Sequence, residues 1–194
     1  MSQPSLREII AAAQTGSADA YAALLARYER RLYGYFFRAT GRHHDAEDLL
    51  GELLLRLVRR LGRYDHRGRF EPWLFRIAAN MVRDRIRRSR TRPAAATLSE
   101  RDEQGEALVD RLEGSPPPVD GPLLAAEASE QVQAALDRLD EKTRQMILLR
   151  HFGEMSFKEI AELFDAPLGT VLARVHRGLK ALRRLLGAND DDRM

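Results

Sequence analysis

The segment Met155–Arg184 constrains the fold most, because its sequence predicts two helices joined by a tight turn. Ser156 and Glu159 have the spacing of a capping box, which predicts a short helix at this point. The run Asp165–Pro167 interrupts that helix, and proline suits the first turn of the next one, where its missing N–H has no role. At about 100° per residue, the second helix then separates into an apolar and a basic side. The apolar side comprises Leu168, Val171, Leu172, Val175, Leu179 and Leu182, and the other side Thr170, Arg174, Arg177, Lys180 and Arg184.

This pattern favours a helix-turn-helix whose last helix reads DNA. An ordinary amphipathic helix with a solvated charged face would show the same pattern, so the rest of the chain has to decide between the two.

Charge is unevenly distributed along the 194 residues, although the net charge is only +3. Residues 83–92 hold six arginines and one acid, whereas residues 94–133 hold nine acids and two arginines. Such blocks indicate basic surfaces for nucleic acid and an acidic connector. The chain has no cysteine, which excludes disulfides and cysteine zinc sites. It also lacks an apolar run of membrane-spanning length and the apolar core of a signal peptide. We therefore expect a cytoplasmic protein with no membrane insertion.

Three helices are predicted before residue 62: Leu6–Ala13, a long helix capped by Ser17 that reaches about Thr40, and His43 to about Leu61. The third begins with acids, which suit a helix N-terminus. It continues with more apolar residues than one stripe needs: Leu49, Leu50, Leu53, Leu54, Leu57, Val58 and Leu61. The surplus predicts either a partner-binding face or a helix that is buried on two sides. The neighbouring histidines and acids lack a further ligand cluster, so no metal is expected.

The next helix, Phe70–Arg92, carries two stripes. One is apolar and consists of Phe70, Trp73, Leu74, Ile77 and Met81. The other, Arg76, Asn80, Arg83 and Arg87, offers cations for phosphate and an amide for a base. Trp73 is assigned to the core rather than to base stacking. The loop Arg63–Arg69 precedes this helix.

Residues 94–129 lose helical patterning and contain several prolines and glycines, so they predict a linker between two domains. Helices at Gln131–Leu139 and Lys142–Phe152 follow, with Gly153 as a cap, and the chain ends in a polar tail.

In this order, three motifs together resemble the extracytoplasmic-function (ECF, group IV) sigma factors of bacterial RNA polymerase. DAEDLLGELLLRL (Asp45–Leu57) is similar to the family's polymerase-clamp helix, and FEPWLFRIAANMVRDRIRR (Phe70–Arg88) is similar to its −10 reading helix. Met155–Arg183 is similar to its −35 reading unit. The resemblance implies an all-α fold with two small helical domains: a helical-bundle sigma domain two (1–93) and a helix-turn-helix sigma domain four (130–187). A flexible acidic linker (94–129) joins them, and a polar tail (188–194) follows.

The resemblance also implies partners and site residues. The partners are core RNA polymerase, promoter DNA (duplex at −35, melted at −10) and an anti-sigma factor; neither a cofactor nor a catalytic residue is implied. The residues matched to polymerase binding are Asp45, Asp48, Leu49, Glu52, Leu53 and Arg56. Those matched to −10 DNA are Tyr64, Asp65, His66, Arg69, Trp73, Arg76, Asn80, Arg83 and Arg87. Those matched to −35 DNA are Ser156, Thr170, Ala173, Arg174, Arg177 and Lys180.

Two positions depart from the family pattern. Gly51 stands where the family usually has glutamine, and Leu172 stands where it often has arginine or lysine. Because Leu172 cannot make the DNA contact expected of a cation, the family pattern does not determine which −35 sequence this chain recognises.

Two other functions remain as alternatives. A free-standing regulator that binds duplex DNA would leave Phe70–Arg92 and the acidic helix start without a role. A nucleic-acid-processing enzyme would need a carboxylate or histidine constellation, which the sequence lacks. A further hypothesis is that the acids Glu100, Asp102, Glu103, Glu106 and Asp110 mimic RNA inside polymerase, against the alternative of a solubilising tether.

Overall fold

The computed structural model of the chain describes residues 4–91 and 121–191, and within these ranges all regular secondary structure is helical. The helices are α1 (Leu6–Gln14), α2 (Ala18–Thr40), α3 (His43–Leu61), α4 (Phe70–Thr91), α5 (Gly121–Asp137), α6 (Glu141–Phe152), α7 (Phe157–Phe164) and α8 (Leu168–Asp191). The all-α prediction is therefore confirmed. None of the helices described in these two ranges is both long enough and apolar enough to cross a membrane.

Side-chain caps open several of the described helices, including the two starts that the sequence predicted at Ser17 and Ser156. Ser17 caps α2, and Ser5 and Ser156 open α1 and α7 with complete capping boxes, in which the glutamate at the third helical position returns a bond to the cap amide. Gly153 ends α6 as expected, but at φ −92°, so left-handed backbone is not the reason for glycine. A Cβ there would lie 2.9 Å from the Leu149 carbonyl oxygen and from Phe75 Cβ, so close packing is the reason.

Helix α2 lies at the centre of the molecule and packs against α1, α3, α4 and α6. The buried residues form one continuous cluster that runs from the N-terminal helices (α1–α4) into the C-terminal helices (α5–α8). The aromatic side chains Tyr28, Tyr35, Phe36, Phe70 and Phe75 are among its largest fully buried members. The two halves of the chain therefore share an apolar core in this structure.

The burial of α3 and α4 differs from simple expectations: α3 buries only one face, and α4 buries more residues than its predicted apolar stripe. α3 buries one face, formed by Leu49, Leu53, Leu57 and Leu61, and leaves Val58 exposed, so it is not buried on two sides. α4 buries the predicted stripe except for Trp73, which is half-buried. It also buries Phe75, Ala78, Ala79 and Val82, which the stripe did not include. The extra burial arises because three helices, α2, α3 and α6, pack on α4.

Two helices extend into segments that the sequence assigned to the linker and the tail. α5 begins at Gly121, so the prediction that residues 121–129 lack helix is wrong. Pro122 is compatible with this, since the first turn of a helix does not use its N–H, and strong helix formers follow it. α8 continues to Asp191 and so includes most of the predicted tail. The acidic run Glu100–Asp110 lies outside the described residues.

The buried side of α8 is narrower than predicted. Val171 and Val175 are buried and Leu182 is partly buried, as expected. Leu168, Leu172 and Leu179 are 46%, 43% and 42% exposed, so the prediction that they face inward is wrong. The buried position near Leu179 is taken by Gly178, where a Cβ would lie 2.6 Å from Thr143 Cγ2. Helix α6 thus approaches α8 too closely for a leucine at this point.

Candidate nucleic-acid and partner surfaces

The acids at the start of α3 bind an arginine of α4. Arg85 contacts Asp45, and its Nη2 lies 3.1 Å from Asp48 Oδ2. The hydrogen bonds that Arg85 donates to Asp45 and to Asp48 outweigh the effect of burial and raise the pKa of Arg85. Both acids are half-buried and already paired with a cation, so this end of α3 is less negative than its sequence suggests.

The outer face of α3 is mixed. Glu52 is exposed and pairs with Arg56 across one turn, at 3.4 Å. Leu55 is 63% exposed and Val58 is 57% exposed, the highest values among the large apolar residues that the structure describes as exposed. Helical spacing puts Leu55 on the same side as Asp48 and Glu52. An exposed apolar residue between charged ones is the composition of a binding face rather than of a solvated one.

Leu49 and Leu53 do not belong to this face. They are 2% and 0% exposed, because α3 packs through them onto the core. The prediction that they bind polymerase is therefore wrong, and both belong to the core. Leu55, which the sequence analysis did not assign to this site, lies on the surface instead.

An aromatic cluster stands where the loop before α4 meets that helix. The ring centroid of Tyr64 is 4.4 Å from that of Trp73 and 5.4 Å from that of Phe70, and the Tyr64 hydroxyl lies 3.3 Å from His66 Nδ1. Burial, followed by the nearby acids Glu71 and Asp65, raises the pKa of Tyr64. Phe70 is fully buried, while Tyr64, His66 and Trp73 are partly exposed. The half-exposed rings form a surface on which a base can stack.

The loop is held by a side chain from α1. Gln14 Nε2 donates to the carbonyl oxygens of Leu61, at 3.0 Å, and Tyr64, at 2.6 Å. Gly68 has φ +74°, a backbone conformation that favours glycine. Asp65 and Arg67 form an exposed ion pair at 2.7 Å. Sequence patterning did not reveal the role of Gln14, because its partners lie more than 45 residues away in the chain.

The basic stripe of α4 is exposed at Arg76, Asn80 and Arg87 and half-buried at Arg83. Arg83 Nη1 donates to the Leu163 carbonyl oxygen at 3.1 Å, and its guanidinium lies 5.5 Å from the centroid of the Phe164 ring. Arg76 Nη2 lies 3.6 Å from Glu162 Oε2. The cations predicted for DNA therefore meet α7 in this structure.

Beside Trp73 is a cavity of about 190 Å³ with walls from both halves of the chain. Its lining residues are Arg69, Pro72, Trp73 and Arg76 from the N-terminal side and Met155 and Glu159 from the C-terminal side. Arg69 also pairs with Glu159. Burial alone would raise the pKa of Glu159, but hydrogen bonds from Ser156 and the charge of Arg69 outweigh it and lower that pKa.

The helix-turn-helix predicted from the sequence is present as α7, a turn with Asp165 at φ 47°, and α8. Thr170, Ala173, Arg177 and Lys180 are exposed along one side of α8, together with Leu172. Arg177 Nε donates to the Ala173 carbonyl oxygen at 3.3 Å. This side has the exposure and charge that a DNA-reading helix needs.

Arg174 and Ser156 have structural contacts. Arg174 Nη1 lies 3.1 Å from Asp140 Oδ1 and 3.4 Å from Thr143 Oγ1, which links α8 to the start of α6. Burial opposes ionisation of Asp140, but the Thr143 hydrogen bonds and Arg174 outweigh it, so its pKa is lowered. The Ser156 hydroxyl is occupied by the capping box. Arg177 and Lys180 are therefore freer to meet DNA than Arg174.

Family profiles match both halves of the chain. The profile for Sigma-70 region 2 matches residues 24–92, and the profile for Sigma-70 region 4 matches residues 129–182. The ECF RNA polymerase sigma factor SigW of Bacillus subtilis is 30% identical over 186 residues, which cover 93% of this chain and 96% of SigW. The chain belongs to the ECF sigma factor family. CarQ, an RNA polymerase sigma factor of Myxococcus xanthus, is 35% identical over 89% of this chain and 92% of its own length.

Solved structures support the fold of this ECF sigma factor. CnrH, determined in complex with the cytosolic domain of CnrY, has a TM-score of 0.64 at 24% identity and covers 94% of this chain and 97% of its own. RpoE from Bartonella quintana, determined in complex with the anti-sigma factor NepR, has a TM-score of 0.62 at 19% identity, covering 88% and 98%. At these identities the likeness concerns the fold.

Membership in the family establishes the function at a general level: a sigma factor directs RNA polymerase to initiate transcription at promoters. The region 2 match includes α3, the loop and α4, and the region 4 match includes α6 and α7 completely. The free-standing regulator is not favoured, because it gives no role to region 2. In the described ranges, 4–91 and 121–191, no group of three or more histidine, aspartate or glutamate side chains is arranged to hold a metal.

Proposed function

We propose that this ECF sigma factor binds core RNA polymerase through the outer face of α3 and reads the −10 and −35 elements with α4 and α8. It has no catalytic activity of its own in this proposal and acts in the cytoplasm. Its domain two is residues 1–93. Its domain four begins with α5 at Gly121, earlier than the limit of 130 that the sequence predicted, and the linker becomes residues 94–120.

The observation that supports the polymerase site is the exposure of Leu55 and Val58 beside Glu52. Charges at such a face set partner choice and association rate, while burial of the apolar side chains contributes affinity. Because Asp45 and Asp48 already hold Arg85, we assign most of the binding to Glu52, Leu55 and Val58, with Arg56 and Asp48 at the rim.

The −10 site is proposed to be the aromatic cluster together with the basic stripe. Extracting a base from the duplex costs a few kcal/mol, so the pocket has to offer stacking and hydrogen bonds in return. Tyr64, Trp73 and His66 supply rings, and Asp65 supplies an acceptor at the edge of the loop. Arg76, Arg83 and Arg87 supply the cations for phosphate, and Asn80 can read a base edge.

The −35 site is proposed on the exposed side of α8, with Arg177 and Lys180 as its main cations. Thr170 and Ala173 are small enough to let the helix approach the major groove. Leu172, 43% exposed on this helix, offers apolar contact to a thymine methyl group where the family often carries a cation. Arg174 supports the helix from behind through Asp140.

An anti-sigma protein is a further proposed partner. The RpoE structure was determined with an anti-sigma factor bound, and its fold matches 88% of this chain. An inhibitor of this kind would cover the α3 face and so compete with polymerase.

The test is run-off transcription with core polymerase and a library of promoter fragments, followed by binding measurements. The wild-type chain is expected to make core polymerase initiate at defined positions. Leu55→Glu should weaken core binding about tenfold or more, since it places a charge in an apolar contact. The control is Arg7→Glu, which adds a glutamate on the exposed side of α1 and should bind core polymerase normally. Its neighbour Leu6 is unsuitable as a control position because it packs against the hydrophobic interior. Normal core binding by a folded Leu55→Glu variant would exclude this face.

A further inference from the structure

Where the two halves of the chain meet, the N-terminal half supplies cations and the C-terminal half supplies carboxylate and carbonyl oxygens. Arg31 Nη2 lies 2.9 Å from Glu154 Oε1 and donates to the Phe152 carbonyl oxygen at 2.6 Å. Arg69 pairs with Glu159, Arg76 with Glu162, and Arg83 with the Leu163 carbonyl. In each of these contacts the cation belongs to the N-terminal half, and the acceptor belongs to α7, to the turn before it or to the last residue of α6. Charge complementarity of this consistency sets the register of an interface.

Close backbone packing accompanies the ion pairs. A Cβ at Gly34 of α2 would lie 2.9 Å from Phe152 Cε1, so a larger residue there would push the halves apart. Glu154, whose carboxylate meets Arg31, has φ 51°, a conformation that non-glycine residues adopt at a cost in free energy. Glycine would adopt this backbone conformation with less strain than glutamate. The chain nevertheless has Glu154 here, and its side chain contacts Arg31 of the other half.

Three of the arginines in this interface, Arg69, Arg76 and Arg83, are the cations assigned above to −10 DNA. We propose that the free protein inhibits itself: α7 and the turn before it occupy the −10 surface of α4, with carboxylates and carbonyl oxygens where DNA phosphates would bind. This inference rests on the proposed function, since it needs α4 to be the −10 reader. The cavity beside Trp73, walled by Met155 and Glu159, is the part of the −10 pocket that the closed form covers.

In this proposal, separation of the two halves and DNA binding at α4 are linked equilibria, because DNA can bind only the open form. A ligand that binds only the open form has an apparent affinity reduced by the fraction of molecules that are open. The −10 surface becomes available only when α7 leaves α4, so binding of core polymerase at α3 has to be coupled to this opening before −10 DNA can be read. Single-stranded DNA binding by the free protein would stay weak.

The first measurement follows the closed form itself. Because the chain has no cysteine, dyes can be attached specifically at Arg30→Cys on α2 and His151→Cys at the end of α6. Both positions are exposed and are next to the residues, Arg31 and Phe152, that join the two halves. Energy transfer between the dyes should be high in the wild-type protein and fall when core polymerase is added.

The second measurement uses the same protein without dyes and a fluorescein-labelled random 12-nucleotide single-stranded DNA. The opening variant is Glu154→Gly with Glu162→Gln, which removes two interface carboxylates and relieves the positive φ. The matched control is Asp165→Gly with Glu130→Gln, which makes the same change in charge and also relieves a positive φ, at Asp165, outside the interface. Gly34→Gln is a second, independent opening variant that adds a helix-compatible side chain under Phe152.

Both opening variants should lower energy transfer and tighten DNA binding roughly two- to tenfold, since each exposed ion pair shifts an equilibrium by a factor of about one to five. The control should behave as the wild type. Adding Arg76→Ala to the Glu154→Gly, Glu162→Gln background should cancel the gain, because the DNA then loses a cation.

Low energy transfer in the free wild-type protein, or no change in either opening variant, would overturn the closed form. A variant that opens but binds the DNA no better would overturn self-inhibition. Failure of the proposed function has a different signature, namely no promoter-directed run-off transcript from the wild-type chain with core polymerase.

Discussion

Two helix glycines should respond in opposite ways to the same substitution. Gly51 lies within α3, and a Cβ added there would meet nothing within 4 Å. Gly178 lies within α8, and a Cβ there would stand 2.6 Å from Thr143 Cγ2 and 2.8 Å from Ile147 Cδ1. Alanine gains about 1 kcal/mol over glycine in a helix interior, chiefly because the unfolded chain loses freedom. Only at Gly51 is that gain unopposed.

For Gly51→Ala, the free energy of unfolding should rise by about 1 kcal/mol, which corresponds to an increase in Tm of about 2–4 °C for a chain of this size. For Gly178→Ala, overpacking costs about 1–3 kcal/mol. The Thr143 side chain is buried and stiff at its first torsion, so it cannot turn away easily. Subtracting the helix gain leaves an expected loss of up to about 2 kcal/mol.

The assay is urea unfolding followed by circular dichroism at 222 nm, with thermal melts of the same proteins. Equal slopes against urea in wild type and variants would show that the free energies can be compared. A lower stability for Gly51→Ala, or a gain at Gly178→Ala as large as that at Gly51, would refute the reasoning, because the space around each Cβ would then not control the outcome.

Three further predictions follow from single contacts. Tyr35→Phe should keep or raise the free energy of unfolding in urea, by up to about 1 kcal/mol, because the Tyr35 hydroxyl is buried without a hydrogen-bond partner among the described residues. Arg177→Ala should weaken binding to −35 duplex and reduce the salt slope by about one, whereas Arg174→Ala should mainly lower thermal stability by releasing Asp140. The stability difference between wild type and Glu159→Gln should be present at neutral pH, because the folded pKa is lowered, and it should decline once pH falls below the ordinary Glu value of 4.5 and be lost as pH falls through the folded pKa. A difference that shows no decline below pH 4.5 would contradict this.

Local signals in the sequence predicted the helices well. The capping residues Ser17 and Ser156 and the breaks at Gly41 and Asp165 act over three or four residues, so their structural effect can be read without knowing the tertiary fold. The sequence does not indicate the start of α5 at Gly121, because glycine and proline are typical of loops, although both are tolerated in the first turn of a helix.

The assignment of faces was less successful, since a face depends on what packs against it. Leu179 and Gly178 are neighbours in α8, and periodicity favoured the leucine as the buried one. The structure buries the glycine instead, because α6 crosses at that point. Likewise, the sequence assigns Asp45 and Asp48 to polymerase binding and does not indicate their pairing with Arg85, which lies 37 residues or more away in the chain.

The basic stripe of α4 shows why charge patterning cannot choose between DNA and protein as its partner. A row of arginines at helical spacing fits phosphates, and it equally fits carboxylates and carbonyl oxygens presented by another helix. In this chain both partners exist: α7 carries Glu159 and Glu162 at the spacing that meets Arg69 and Arg76. Whichever partner binds excludes the other from the same guanidinium groups. A stripe shared in this way makes promoter reading depend on separation of the two halves, so binding of core polymerase has to be coupled to that separation.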